Sequence, residues 1–93
     1  MQNVRQSAKY TNLSASAAVK SGTGVVYGFV VNSHTSGTLK LWDNTAASGT
    51  AILNTITFAA DSGIVVSLPV GIRFVVGLYA TIGGTADITI IWE

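Results

Sequence analysis

Val25-Val26-Tyr27-Gly28-Phe29-Val30-Val31-Asn32 is the run that decides the fold class, and Ser33-His34-Thr35-Ser36-Gly37 followed by Thr38-Leu39-Lys40-Leu41-Trp42 extends it. The first run is filled by β-branched and aromatic residues, which are stiff at the first side-chain torsion and suit a pleated surface. Successive side chains of a strand point to opposite faces. Tyr27, Phe29 and Val31 are therefore expected on one face, with Val26, Gly28 and Val30 on the other. In the third segment Leu39 and Leu41 point inward, and Lys40 and Trp42 outward. The pentapeptide between the two strands is rich in turn formers, and its glycine can adopt a left-handed conformation. It reads as a hairpin loop.

The same grammar extends to both ends of the chain. Thr, Val and Ile number 11, 11 and 8, about a third of the 93 residues. Turn formers recur at Ser21–Gly24, Asp43-Asn44, Ala47–Thr50, Asp61–Gly63 and Gly83-Gly84. Further strands are expected at Tyr10–Val19, Ala51–Phe58, Ile64–Leu68, Ile72–Ile82 and Asp87–Trp92. A short helix at Ala15–Lys20 competes with the first of these. Pro69 cannot donate to a ladder and marks an edge or a strand end. Gly83-Gly84 reads as the tight turn of a second hairpin. Short strands at this spacing predict an all-β fold. The expected form is a two-sheet antiparallel β-sandwich, jelly-roll-like or immunoglobulin-like in its connections. One domain over 10–93 follows a polar N-terminal arm over 1–9.

Composition adds a mismatch. The chain is 48% hydrophobic but only 10% charged, against roughly 25% charged in an average soluble domain. Five adjacent pairs, Val25-Val26, Val30-Val31, Val65-Val66, Val75-Val76 and Ile90-Ile91, place apolar groups on both faces of a strand. One face of a sandwich is core, so the other is expected to be covered by a partner. This makes self-association the leading expectation. The bases Arg5, Lys9, Lys20 and Lys40 precede every acid, whereas Asp43, Asp61, Asp87 and Glu93 share the remainder with Arg73 alone. That order gives inter-subunit contacts a possible polarity. A net charge of +1 provides no bulk pull toward nucleic acid or an anionic membrane. No 20-residue apolar run predicts a membrane-spanning helix. With no cysteine, disulfides and thiolate metal sites are excluded.

Nothing in the chain assembles a catalytic motif. His34 is the single histidine and sits among Ser33, Thr35 and Ser36; a triad with Asp43 or Asp61 lacks any nucleophile-elbow pattern. The four acids fall in turns and at strand ends, where Asp commonly bonds to backbone, rather than as a facing pair. Asp43-Asn44 lacks the spaced oxygen ligands of a calcium loop. Gly83-Gly84-Thr85 lacks the lysine and the following helix of a phosphate loop. The expectation is a protein without enzymatic activity, cofactor or metal. Trp42 and Tyr79 are expected at an interface or in packing.

Two segments carry a resemblance. Gly37-Thr38-Leu39-Lys40-Leu41-Trp42-Asp43-Asn44-Thr45, and Gly77-Leu78-Tyr79-Ala80-Thr81-Ile82-Gly83-Gly84-Thr85-Ala86-Asp87-Ile88-Thr89-Ile90, resemble small all-β structural proteins of tailed bacteriophages and prophages. The likeness covers most of the chain after Tyr10. It implies a virion component, specifically a head decoration or cement protein, often trimeric, that binds the major capsid protein of an assembled head. It equally admits a tail, neck or fibre component that binds a receptor or glycan. It implies a place in the virion, with host cytoplasm as the site of assembly. Arg5 and Lys9 are then expected to meet acidic capsid surface.

Overall fold

The computed structural model describes residues 8–58 and 64–93. In this range there are six strands and no helix: β1 (Lys9–Leu13), β2 (Ala17–Ser21), β3 (Gly24–Asp43), β4 (Thr50–Thr57), β5 (Ile64–Phe74) and β6 (Gly77–Trp92). All strand pairings are antiparallel, within one sheet. The expected all-β class is what is found. The short helix considered at Ala15–Lys20 is not; Ala17–Ser21 is strand.

The organising element is a two-stranded ribbon of β3 and β6, paired from Val26↔Trp92 to Trp42↔Tyr79. Twenty extended residues of β3 would span roughly 66 Å at about 3.3 Å per residue. The longest dimension of the molecule is 40 Å, so the ribbon must fold back. It bends between the pairs Ser33↔Asp87 and Thr38↔Gly83, where the register slips. Ser36 (φ 51°) and Gly84 (φ 66°) take left-handed conformations there. A side chain at Gly84 would run into the carbonyl oxygen of Ser36.

This corrects both predicted hairpins. Ser33–Gly37 and Gly83-Gly84 do not close turns; they lie opposite each other as the two sides of one bend. Left-handed residues and small side chains serve a hairpin turn and a sharp strand bend equally, so the local signal does not separate them.

Folding the ribbon creates two four-stranded halves. One runs β1-β6-β3-β5 and uses the C-terminal part of β6 with the N-terminal part of β3. The other runs β2-β6-β3-β4 and uses the complementary parts. The predicted single strand Tyr10–Val19 is thus two strands in different halves. Between them the Ser16 hydroxyl accepts the Ile82 N–H at 2.8 Å, which pins the crossing near the bend. The predicted strand Ile72–Ile82 also divides. Its first part belongs to β5, Val75-Val76 crosses between halves, and Gly77 opens β6. Nor does the strand predicted at Ile64–Leu68 stop at Pro69; β5 continues to Phe74 as an edge strand paired with β3 alone.

One apolar core lies between the halves. β6 contributes Leu78, Ala80, Ala86, Ile88 and Ile90, all of one parity, and β3 contributes Val26, Phe29, Val31, Leu39 and Leu41. Phe29 of the first half meets Phe58, at the end of β4, with ring centroids 6.3 Å apart. The predicted face shared by Tyr27, Phe29 and Val31 needs correction, because Val26 and not Tyr27 is buried with the other two. A bulge at Gly28 (φ 151°) shifts the register there. Any Cβ at this position would strike the Val66 carbonyl.

Candidate interaction surface

The doubled apolar pairs sort as expected in four cases. Val26, Val31 and Ile90 are buried, and Val25, Val30 and Ile91 are half-buried on the opposite face. Val66 packs against the core while Val65 is exposed. Val75-Val76 departs from the rule: both side chains are exposed, because they lie in the crossing and not in a strand.

On the outer face of the first half, Tyr10 of β1 stands opposite Ile91 of β6, and Ile91 opposite Gly28 of β3. A shallow dip of about 170 Å³ lies beside Gly28, lined by Tyr27, Val30, Val65, Ser67 and Ile91. That is smaller than the roughly 300–1,000 Å³ of small-molecule sites, so the dip suits one apolar side chain better than a ligand. Closer to the bend the same face turns polar. The Asn12 amide donates to the Asp87 carboxylate at 2.6 Å and to the Thr89 hydroxyl at 3.1 Å; the Asn32 amide donates to the same two groups at 3.1 Å each. The Asn12 and Asn32 bonds hold the Asp87 carboxyl below its ordinary value, against a smaller opposing effect of desolvation. Asp87 is therefore a cross-strand clasp joining β1, β6 and β3.

The outer face of the second half carries Trp42 directly opposite Tyr79. Both are half-buried. The Trp42 indole N–H donates to the Thr81 hydroxyl at 2.9 Å, and the Lys40 ammonium lies 4.1 Å from the Trp42 ring centroid. Of the residues expected at an interface, the structure brings Trp42 and Tyr79 together. Lys9 lies elsewhere, exposed on β1 of the first half, with its ammonium 5.7 Å from Trp92. Arg5 lies outside the described residues, as does most of the predicted arm; Lys9 itself is strand.

Asp43 has a structural assignment. Its carboxylate accepts the N–H groups of Val75 at 3.0 Å, Val76 at 2.8 Å and Gly77 at 3.4 Å. Desolvation pushes its carboxyl up, but the Val76, Val75 and Gly77 donors together outweigh it and hold the group below its ordinary value. The imagined triad loses this member, because the His34 ring sits at the bend, nine residues away along β3. There His34 Nδ1 accepts the Gly37 N–H at 3.2 Å and the ring packs edge-on to Phe58 at 5.3 Å. Asp61 lies outside the described residues. Among the described residues no group of three or more His, Asp or Glu side chains is placed to hold a metal ion.

Sequence reading named the Val65-Val66 and Val75-Val76 pairs but missed that apolar exposure gathers on β5 and the crossing after it. Of the six large apolar side chains exposed among the described residues, five lie on β5 or the crossing after it: Val65, Val70, Ile72, Val75 and Val76. The sixth is Tyr10. The available signal was Pro69, which marked an edge, inside a stretch whose one charge is Arg73. No family model, curated protein or solved structure matches the chain.

Proposed function

We propose that the chain is a non-enzymatic virion structural protein, a capsid decoration or cement protein that self-associates and stabilises an assembled head. The observation that carries this reading is the surface itself. Outward positions hold Val, Ile, Tyr, Thr and Ser where a free monomer would carry Lys and Glu, and five apolar side chains stand exposed on β5 and the crossing after it. The connectivity supports the same reading. With β3 and β6 each bent into two segments, the six strands make eight segments in two four-stranded halves, the strand count of a jelly roll, an architecture used in viral capsid and lectin domains. A cement protein acts by binding the assembled shell and not its separated subunits, which stabilises the shell by mass action. Arg5 and Lys9 supply the positive charge for acidic capsid surface.

The test is co-sedimentation of the purified protein with empty heads of the phage or prophage that encodes it, and with its dissociated capsid subunits. Retention on heads but not on subunits, with a higher melting temperature of the heads, is the expected result. Replacing Arg5 and Lys9 by Ala should weaken retention. Equal binding to subunits, or none to heads, refutes the reading.

A second reading, a tail, neck or fibre module that binds a receptor or glycan, draws on the Trp42–Tyr79 pair, since sugars stack on exposed aromatic faces. It ranks lower because Lys40 already covers Trp42 and the indole N–H is spent on Thr81. Saturable glycan binding abolished by Trp42→Ala would favour it.

A further inference from the structure

We infer that the outer face of the first half, from Tyr10 to the Asp87 clasp, is a binding site for a neutral oligosaccharide. The inference does not rest on the capsid reading, and it places the sugar on the other half of the sheet from the Trp42–Tyr79 pair.

Register brings the parts together. Tyr10 and Asn12 are two residues apart on β1 and so share a face. They stand opposite Ile91 and Thr89 of β6. Thr89 stands in turn opposite Val30 of β3. The bonds from the Asn12 and Asn32 amides to Asp87 and Thr89 hold all four polar side chains on that one face. Tyr10 is 74% exposed, more than any other large apolar side chain among the described residues.

The hydrogen-bonding capacity left over selects the ligand class. A side-chain amide has two donors and a carbonyl, whereas an ionised carboxylate only accepts. Both amides spend their N–H groups inside the cluster, on Asp87 Oδ1 and the Thr89 hydroxyl. Asp87 Oδ2, Asn12 Oδ1 and Asn32 Oδ1 take part in none of these bonds. The face therefore presents acceptors held in place, and the O–H groups of a polyol are the donors that match them. An anion is turned away. Asp87 is charged at neutral pH, since its carboxyl is held below the ordinary value. Lys9, of the other parity on β1, reaches Trp92 instead. A calcium cage draws on several carboxylates, and this cluster holds one.

Tyr10 meets the remaining requirement of a sugar. A pyranose ring has a face lined by C–H groups, which packs on the negative face of an aromatic ring. From Ile91, opposite Tyr10, to Asp87 is four residues of β6, or roughly 13 Å. That is the span of a short oligosaccharide and not of a single sugar. The face is open to water, so dissociation is expected in the millimolar range.

Titrating the isotope-labelled protein with maltohexaose, cellohexaose and chitohexaose, and separately with sialyllactose and heparin, tests this by nuclear magnetic resonance. The expected result is saturable movement of the Asn12 and Asn32 side-chain amide signals with at least one neutral chain and with neither anionic one. Tyr10→Ala and Asp87→Asn should each weaken binding about tenfold or more, while Trp42→Ala leaves it unchanged. Circular dichroism and thermal melting establish that each variant is folded. No saturable movement with any of the three neutral chains overturns the site. So does preference for the anionic chains, or a response that appears only when calcium is added. Binding that survives Tyr10→Ala but is lost in Trp42→Ala puts the sugar on the other half and overturns it equally. None of these outcomes touches the capsid reading, which stands or falls on co-sedimentation.

Discussion

Removing the Asp43 carboxylate tests the joint that holds the fold closed. Asp43 ends β3, and the N–H groups it accepts belong to Val75, Val76 and Gly77, the link by which the chain leaves one half of the sheet and enters the other. Hydrogen bonds to charged groups contribute about 1.5–3 kcal/mol when shielded. Here Val75 and Val76 are largely exposed, so water replaces part of what is lost, and the Gly77 contact at 3.4 Å is long. After that discount Asp43→Ala should cost about 1–2 kcal/mol at neutral pH. A loss of 1 kcal/mol lowers the melting temperature by about 4–8 °C in a domain this size.

The pH dependence identifies the cause. The folded carboxyl titrates below its unfolded value of 3.8. Its contribution is therefore complete above that value and disappears as pH falls through the lower folded one. Urea unfolding of wild type and Asp43→Ala should give parallel curves whose separation is constant near neutrality and closes in the acid range below 3.8. A separation under about 0.5 kcal/mol at neutral pH would place Asp43 among ordinary surface residues. A separation that persisted at the acid end would show that the charge is not what holds the link.

Other substitutions probe other joints. Gly84→Ala should destabilise by about 1–3 kcal/mol, because the position is left-handed and the new methyl meets the Ser36 carbonyl; thermal melting checks it, and Gly22→Ala, with open space around it, isolates the contact from the conformational effect. Leu39→Ala, at a fully buried site beside the bend, should cost about 2–5 kcal/mol in urea unfolding. Trp42→Phe keeps the ring but loses the bond to Thr81, and should cost about 1 kcal/mol while leaving the far-ultraviolet spectrum unchanged. Asp87→Asn should be less stable than wild type near neutrality, with the difference closing in the acid range as for Asp43→Ala, since both carboxyls are held below their ordinary values; urea unfolding at the two pH values checks it.

Strand content was readable because it is written locally, in β-branched residues and in parity. The buried sets Leu39 with Leu41, and Ile88 with Ile90, follow from alternation alone. The architecture was not readable, because it depends on two positions where local chemistry is ambiguous. Gly84 and Ser36 satisfy a bend with the same left-handed backbone that would satisfy a hairpin, and only the partner across the ladder distinguishes the outcomes. Gly28 hides a bulge that reverses the faces of everything before it, which is why Val26 and not Tyr27 joins Phe29 inside. The Val75-Val76 crossing looked like strand because both residues favour strand. What breaks it is Asp43, 32 residues earlier in the chain. For the candidate surface, opposing registers brought Trp42 to Tyr79, but the apolar exposure on β5 depends on which strand became an edge, a property of the whole sheet.

The low charge of the chain has a consequence for how its four edge strands are kept from pairing indiscriminately. Proteins commonly defend such edges with lysines, and this one has few to spend. Lys9 and Lys20 stand on β1 and β2, and geometry guards the edges further. β1 and β2 are only five residues each. β2 and β4 carry register shifts, and β5 combines a bulge with Pro69. Shortness or irregularity at each of the four edges lets the surface stay nearly neutral without becoming a template for aggregation. A neutral surface so protected loses little when another protein surface covers it, because few charges must be stripped of water. The scarcity of charge and the irregular edges thus serve one end: contacts made by shaped side-chain surfaces, with the backbone kept out of them.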